Sequence, residues 1–585
     1  MKSLLNVIKN CIVLLTPTER RKLYVLSVVV SVMSLFELVG VASILPFMSV
    51  AVNPETIDTN KYLNIVYQSL SFQSRQNFLL FLGGLALGAL ILGNAFRALS
   101  NYMLLKFAHM QSHTMGLRVF KNYLSKPYEY YLTQNSSKLT NVVTSEMNQV
   151  INGMFVPLLK AFGRLNTALF IIVMLVLIDP KVALIMATLL GLAYLVIYRA
   201  LRKKITRLGI ERGENGAARF KYLSEASGGI KEVKLLGKEH VFAEQFSIPS
   251  QRYAYSQAHN AIVGEIPRYI LEVIAFGGIV TLVMYLITTQ GTEQAITLAS
   301  LYAFAGYKLM PALQEIFNSV TKVKFNYPIV HLLKKSLGDE IDTNLNLEFE
   351  KNDPLKFSEI IEVKDLFFSY ASSDKMILKN LNLKIQANTT VGIIGPTGSG
   401  KTTFVDIVLG LLPPTSGRIV IDGVTLSKNN LRSWQNQIGY VPQFIYLTDD
   451  TIEANVAFGI PKNKIDSNKV KKACELAQIA DFIESNLPEK YKTVVGERGV
   501  RLSGGQRQRL GVARALYHNP SLIVFDEATS ALDNETEKAL IESIERLSGK
   551  KTIIMIAHRL STIEKADKII RIKDGVLESV EERKK

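Results

Sequence analysis

Charge and cysteine are both scarce in this chain. Only 20% of its 585 residues are charged, 48% are hydrophobic, and the mean hydropathy is +0.17. Length alone allows three or four domains; the composition argues for fewer, and for a membrane. The two cysteines, Cys11 and Cys474, sit in different contexts. They offer no disulfide framework and no sign of an oxidising compartment. A secretory cleavage site is also lacking. The N-terminal apolar stretch is interrupted by Lys9 and Asn10, and no small-residue site follows it. The better reading is an amphipathic helix lying along the inner membrane surface. His109 and His113, four apart, lack a third ligand and the Glu of a zinc motif, so they read as surface histidines.

What is present is a net charge of +17 and a set of long apolar runs. A basic balance fits nucleic acid or an anionic membrane surface. Here many basic residues flank the apolar runs, which favours the membrane. A spanning helix needs roughly 20 apolar residues. Six segments qualify, at about 23–52, 78–105, 155–178, 182–198, 261–287 and 295–316. The connections after the second and fourth are long and basic, and those after the third and fifth are very short. The positive-inside rule therefore puts the long loops and both termini in the cytoplasm. Each long loop is mostly helix-compatible. A helical stretch of 25 residues would carry its tip roughly 38 Å beyond the bilayer. Candidate tips are 130–140 and 222–230, the latter broken at Gly228-Gly229. The stretch 53–76 is expected outside, with a short amphipathic helix around Tyr62 to Leu70.

The second half reads differently. Short apolar strands alternate with helical patterns, as in a parallel α/β sheet. Between one such strand and a helix lies Gly395-Pro396-Thr397-Gly398-Ser399-Gly400-Lys401-Thr402. It fits the phosphate-loop spacing of Gly, four residues, Gly, Lys and Thr. Glycines let backbone N–H groups turn inward to cradle phosphates, and the helix N-terminus adds positive potential. Lys401 can reach the β- and γ-phosphates, and the Thr402 hydroxyl can ligate Mg²⁺, with Thr403 next in the loop. Downstream, Leu522-Ile523-Val524-Phe525-Asp526-Glu527 is a strand ending in two acids. Asp526 suits the metal side, and Glu527 is placed to polarise the attacking water.

Most phosphate-loop enzymes lack the stretch Leu502-Ser503-Gly504-Gly505-Gln506. With it, the chain resembles an ATP-binding cassette (ABC) transporter of exporter type over nearly its whole length. That resemblance implies an all-α six-helix transmembrane domain, residues 1–335, fused to an α/β ATP-binding domain, residues 336–585. It implies that Tyr370 stacks on adenine, that Gln443 senses Mg²⁺ and meets the membrane domain, and that His558 holds the γ-phosphate. Val495 to Gly499 resembles the exporter segment before the signature, and Ser530 to Asp533 resembles the loop that crosses the dimer interface. Ser503, Gly505 and Gln506 would complete the ATP site of a second copy. No ATPase motif is degraded, so a homodimer with two equal sites using ATP and Mg²⁺ is implied.

Among exporters, the helices are most similar to bacterial flippases for lipid-linked oligosaccharides. The local matches are Phe36-Glu37 with Pro46-Phe47, Phe96 to Leu99, Pro267 to Tyr269, and Lys308 to Pro311. No peptidase domain is expected ahead of them, which weakens a bacteriocin-exporter reading. Charges inside a bilayer are costly unless paired or in a wet cavity. Arg97, Arg268 and Lys308 would bind a pyrophosphate headgroup if they face one cavity. Equally, they pair with Glu37, Glu265 or Glu272, or snorkel at helix ends. The expected protein is a multi-pass flippase of the bacterial inner membrane moving a polyprenyl-pyrophosphate-linked oligosaccharide. A multidrug or lipid A exporter is the alternative. A nucleic-acid ATPase has only the +17 charge in its favour, and no nucleic-acid partner is expected.

Overall fold

The computed structural model describes residues 2–133, 140, 142–178, 180–290, 292–330, 354–371, 373, 375–527, 541–542, 545–557 and 563–583. The chain forms two compact units. One holds Met1–Lys126 and Gln134–Leu345; the other holds Pro127–Thr133 and Asn346–Lys585.

The first unit is helical. Its main helices are α1 (Lys2–Val13), α2 (Pro17–Ala42), α3 (Arg75–Leu124), α4 (Val156–Ile178), α5 (Pro180–Gly228), α6 (Glu239–Gln290) and α7 (Thr292–Asn326). Thr16 and Glu19 start α2 with reciprocal bonds. The Thr16 N–H donates to the Glu19 carboxylate at 2.8 Å, and the Glu19 N–H donates to the Thr16 hydroxyl at 3.2 Å. Pro17 occupies the first helical position, where a missing N–H costs nothing. The apolar run continues to Val52, but the helix does not: it breaks at Ser43, and a short helix, Ile44–Val52, follows with Pro46 in its first turn. Helices α2 and α3 pack closely. A Cβ on Gly93 would sit 3.2 Å from the Phe36 carbonyl, and one on Gly40 would sit 3.1 Å from that of Ala89.

Helix α3 has 50 residues, so it reaches about 75 Å, far more than a bilayer. Helices α5 and α6 are as long, and α5 ends at Gly228, followed by a short helix over Ile230–Leu235. Among the described residues, four helical stretches are long and apolar enough to cross a membrane: Pro17–Val52, Arg75–Leu124, Thr144–Ile178 and Ala183–Gly228. Many of their large apolar side chains face outward, such as Leu184 and Ile185, as lipid-facing positions must. A capped helix, Lys61–Ser69, lies between α2 and α3, its N-terminus held by the Asn60 side chain.

Helix α1 packs against the protein. Its apolar face, Val7 and Cys11, is buried with Leu14 and Leu15 against Met115 and Val119 of α3. Arg118 donates to the Leu14 carbonyl at 2.9 Å, and the Asn10 amide donates to the Tyr327 hydroxyl at 3.0 Å. Its hydrophobic side is thus used inside the protein. Both cysteines are buried and free.

The second unit contains β1 (Ile360–Ser369), β2 (Met376–Gln386), β3 (Thr390–Ile394), β4 (Ser416–Ile421), β5 (Val424–Thr425), β6 (Ile438–Val441), β7 (Leu522–Asp526), β8 (Thr552–Ile556), β9 (Lys568–Lys573) and β10 (Val576–Glu582). One sheet has the order β10-β9-β3-β8-β7-β6, parallel from β9 through β6. Strands β3, β7 and β8 are buried along their whole length, which explains their unbroken apolar sequence. The other sheet, β2-β1-β4-β5, is antiparallel. Because β3, β7 and β6 are parallel, the residues that follow them emerge at the same edge. Those residues carry the candidate site.

Candidate ATP site and membrane pocket

Strand β3 runs straight into the glycine loop, and α8 (Lys401–Val408) follows it. The loop has no room for side chains at Gly395, where a Cβ would collide with the Ile572 carbonyl. Gly400 caps α8 at φ +99°, in the left-handed region that suits glycine. At the other end, the buried Trp434 indole donates to the Val408 carbonyl at 2.7 Å, fixing the helix against the core. Lys401 is 5% exposed. Its ammonium donates to the carbonyls of Gly395 and Pro396 at 2.9 and 3.0 Å, so it lies folded over its own loop. Burial lowers its pKa, while Glu527 and Asp526 oppose that shift. The buried Ser399 hydroxyl has no hydrogen-bond partner among the described residues. A loop with an inward ammonium and an unsatisfied hydroxyl is suited to phosphate oxygens.

Asp526 ends β7 and accepts from the Tyr440 hydroxyl at 3.2 Å. Burial raises its pKa; Tyr440 and Lys401 work against that, and Glu527 adds to it. Glu527 follows at φ +49°. Its carboxylate accepts from the Gln443 side-chain amide at 2.7 Å, so the residues after β6 and β7 meet directly. The Tyr370 hydroxyl and the Thr403 hydroxyl are 3.2 Å apart. Ser503 and Gln506 bond each other at the start of α9 (Gly504–Leu516), leaving Gly504 with open space where a Cβ would be. His558 and Ser530 to Asp533 lie outside the described residues.

The segment Pro127–Thr133 belongs to this second unit. The carboxylate of Glu129 accepts from the Ala371 N–H at 2.7 Å, one residue past Tyr370. Burial raises the Tyr128 pKa, with the charges of Asp406, Tyr370 and Asp526 adding to it.

The first unit holds a pocket of about 380 Å³ between α2, α3, α4 and α7. Arg97, Lys160 and Arg164 line it, with Glu37 and Glu315. Glu37, 7% exposed, is 3.5 Å from Arg97 and 3.9 Å from Arg164, and it accepts from the Thr167 hydroxyl at 3.1 Å. Lys160 reaches Glu315 at 4.0 Å. Lys308 lies within electrostatic range of Glu37, Arg97 and Arg164. Arg268 does not line this pocket. Its side chain is 62% exposed and pairs with Glu272, one turn away on the same helix, at 2.8 Å. Of the three basic residues singled out in the sequence, Arg97 therefore lines this pocket, and Lys308 and Arg268 do not.

Residues 378–530 match the family described as ABC transporter, and residues 23–307 match the ABC transporter transmembrane region. The "ATP-dependent lipid A-core flippase" of Cupriavidus pinatubonensis is 31% identical over 81% of this chain and 80% of its own length. The chain is an ABC transporter. A second relative, the "Heterocyst differentiation ATP-binding protein HepA" of Nostoc sp., is 30% identical over 78% of the chain and 74% of its own length. The fold is that of a bacterial Atm1-family ABC exporter solved with ATP bound, at a TM-score of 0.75, 24% identity and 95% coverage of both chains. This transporter thus joins a helical membrane domain to an α/β ATPase domain. It binds ATP and couples ATP hydrolysis to translocation. The relatives named flippases are lipid A-core flippases, which was the alternative reading of the substrate.

Sequence reasoning passed over four residues that the structure brings to these sites. Tyr128 and Glu129 begin a short helix, Tyr128–Thr133, that carries no motif. Lys160 and Arg164 were visible as basic residues early in the third span, and their four-residue spacing on one helix face was the available signal.

Proposed function

We propose that this ABC exporter is a homodimeric flippase of the bacterial inner membrane whose substrate is a lipid with a phosphorylated headgroup. A polyprenyl-pyrophosphate-linked oligosaccharide fits best. The observation that carries this reading is the membrane pocket, where Arg97, Lys160 and Arg164 outnumber Glu37 and Glu315 and Lys308 is close by. An excess of cations in a partly desolvated site favours a multivalent anion, and guanidinium groups match phosphate oxygens. Lipid A is also phosphorylated, and the names of the relatives favour it as a second reading.

In this reading, Tyr370 packs against adenine, residues 395–403 hold the phosphates, Glu527 acts as base and His558 holds the γ-phosphate. Thr402, Gln443 and Asp526 would hold Mg²⁺. The buried carboxylate of Asp526 beside the loop suits a divalent cation. Bound there, the metal would neutralise charge on the phosphates. Ser503, Gly505 and Gln506 complete the site of the second copy. Two features support a second copy: the open N-terminus of α9, and the bare apolar tip after α5, where Leu235 is 82% and Leu236 65% exposed. Both termini and the ATPase domain are cytoplasmic by the loop charges.

A headgroup-specific flipping assay in liposomes tests the substrate. Polyprenyl-pyrophosphate glycolipid should move with ATP, and lipid A and small neutral drugs should move more slowly. Faster movement of lipid A would favour the second reading. Movement of neutral drugs alone would overturn both.

A further inference from the structure

Beside the ionic pocket, the first unit contains a second polar hollow, of about 350 Å³. Its lining chemistry is unusual. Six carboxamides face it: Asn148, Gln149, Asn152, Gln257, Asn260 and Asn326. Ser145 is there too, and Lys322 is the only ionisable lining residue among the described residues. Such a wall is almost uncharged, yet rich in paired donors and acceptors. It has little pull on a phosphate. It suits ligands whose groups both donate and accept, as sugar hydroxyls do.

The carboxamides are only partly used by the protein. The Asn152 amide donates to the Asn148 oxygen at 2.7 Å, and Gln149 and Gln257 donate to the Tyr253 hydroxyl at 3.1 and 3.4 Å. Asn326 accepts from Arg212 at 3.1 Å and donates to the Lys322 carbonyl at 2.9 Å. The buried Asn260 oxygen has no partner among the described residues. A buried acceptor without a donor is costly, and a hydroxyl entering the hollow would satisfy it. Gly153 is part of the same construction. A Cβ there would collide with the Asn326 amide.

Position adds an independent argument. Helices α4 and α7 pack together; α7 lines all three hollows, α4 lines two of them, and the segment leading into α4 lines the third. Along α7, Leu309 and Leu313 line an apolar hollow of about 260 Å³, Glu315 the ionic pocket, and Lys322 and Asn326 the carboxamide hollow. Glu315 and Lys322 are two turns apart on one face, about 10 Å along the axis. Along α4 and the segment leading into it, the same order runs backwards: Leu175 and Ile172, then Thr167, Arg164 and Lys160, then Asn152 and Asn148, with Leu165 turned to the apolar hollow from within the ionic stretch. Apolar, cationic, carboxamide is the order of a glycolipid's tail, phosphate and sugar.

We infer that the carboxamide hollow binds hydroxyls of the sugar joined to the lipid phosphate, so that the exporter selects glycosylated over bare lipid. This rests on the proposed phosphorylated-lipid substrate. The test is lipid-stimulated ATPase activity of the full-length protein in liposomes. The probes are a polyprenyl pyrophosphate carrying a disaccharide and the same lipid without sugar. The glycosylated lipid should half-saturate at about tenfold lower concentration, the gain expected from one or two neutral hydrogen bonds. Asn260→Leu with Gln257→Leu should raise that concentration about tenfold for the glycosylated lipid and leave it unchanged for the bare one. Asn148→Leu, on a different element, should act in the same direction. Equal half-saturation by both lipids in the unaltered protein overturns the sugar site and leaves the phosphate reading standing. Equal weakening of both lipids by the variants also overturns it. Failure of both lipids to stimulate overturns the phosphate reading, and the sugar site with it.

Discussion

The side-chain amide of Gln443 donates to the carboxylate of Glu527 at 2.7 Å. The residue that meets the membrane domain in the family pattern thus holds the candidate general base directly. A base engaged this way has one oxygen committed, and releasing it frees the oxygen for water. Glu527→Gln should therefore retain ATP binding and lose turnover by roughly 10²–10⁴-fold, the range for a positioned base. Gln443→Ala should have a smaller effect on basal hydrolysis and should weaken its stimulation by lipid. Phosphate release from reconstituted protein, with and without lipid, measures both. Unchanged turnover of the Glu527 variant would remove it from the base role.

Ser503 has a local duty besides any contact across a dimer. Its N–H donates to Gln506 Oε1 at 2.8 Å, and its hydroxyl accepts from the Gln506 N–H at 3.3 Å. Ser503→Ala should cost about 1 kcal/mol through loss of this cap. Ser503→Asp keeps a good cap but puts an anion where the second copy's γ-phosphate is proposed to bind. Thermal unfolding should show the Ala variant weakened and the Asp variant near normal, while ATPase activity fails in the Asp variant. Full activity with Asp would argue against the cross-dimer site.

Glu129, in a short helix without any recognisable motif, accepts from the Ala371 N–H at 2.7 Å, next to Tyr370, the residue proposed to pack on adenine. Glu129→Ala should raise the KM for ATP about fivefold, a fraction of the energy of a charge-assisted bond because the pair is exposed. Glu129→Gln, which still accepts, should restore most of it. An unchanged KM in both variants would show that Tyr370 is positioned without this contact.

The candidate ATP site was legible in sequence because its elements are local: Lys401 and Thr402 are placed by the loop that contains them, and Asp526 by the strand it ends. The lengths of α3, α5 and α6 followed from uninterrupted helix-compatible sequence. The membrane pocket was not legible to the same degree. Arg97 and Arg268 look alike in sequence as arginines within apolar runs, although Arg97 is the lone charge of its run and Arg268 has Glu265 and Glu272 nearby. Helix rotation and packing decide that Arg97 meets Glu37 on α2, while Arg268 meets Glu272 on its own surface. Single-residue patterns do not report that rotation. Nor does composition report that α1 buries its apolar face on α3 in place of lipid.

Arg212 on α5 is 1% exposed and bonds Glu146 at 3.2 Å and Asn326 at 3.1 Å. Three separate elements of the first unit meet at this guanidinium. Arg212→Ala leaves the buried Glu146 unpaired and should cost about 3–5 kcal/mol. Removing both charges, as Arg212→Met with Glu146→Leu, should recover most of that stability, since an apolar pair of similar volume has no desolvation penalty. Thermal unfolding of the detergent-solubilised protein compares them. If the double variant is no better than Arg212→Ala, the bond to Asn326 outweighs the ion pair.

Asp406 lies in α8 behind the phosphate loop, and burial, with the Asp526 carboxylate adding to it, pushes its pKa from 3.8 up to about 6. An acid whose folded value is raised binds its proton more tightly in the native state than in the unfolded chain. Between roughly pH 4 and 6 the native state therefore holds more protons, and stability falls as pH rises through that window. Above it the folded protein carries a buried charge at a cost. Asp406→Asn keeps the shape and removes the charge. Its melting temperature in nucleotide-free, full-length protein should exceed that of the unaltered chain by a few degrees at pH 7.5. The gain should shrink as pH falls and vanish near roughly pH 4, where both forms are neutral. A gain independent of pH would instead trace the effect to amide hydrogen bonding within α8, and would place the cost of Asp406 outside its titration.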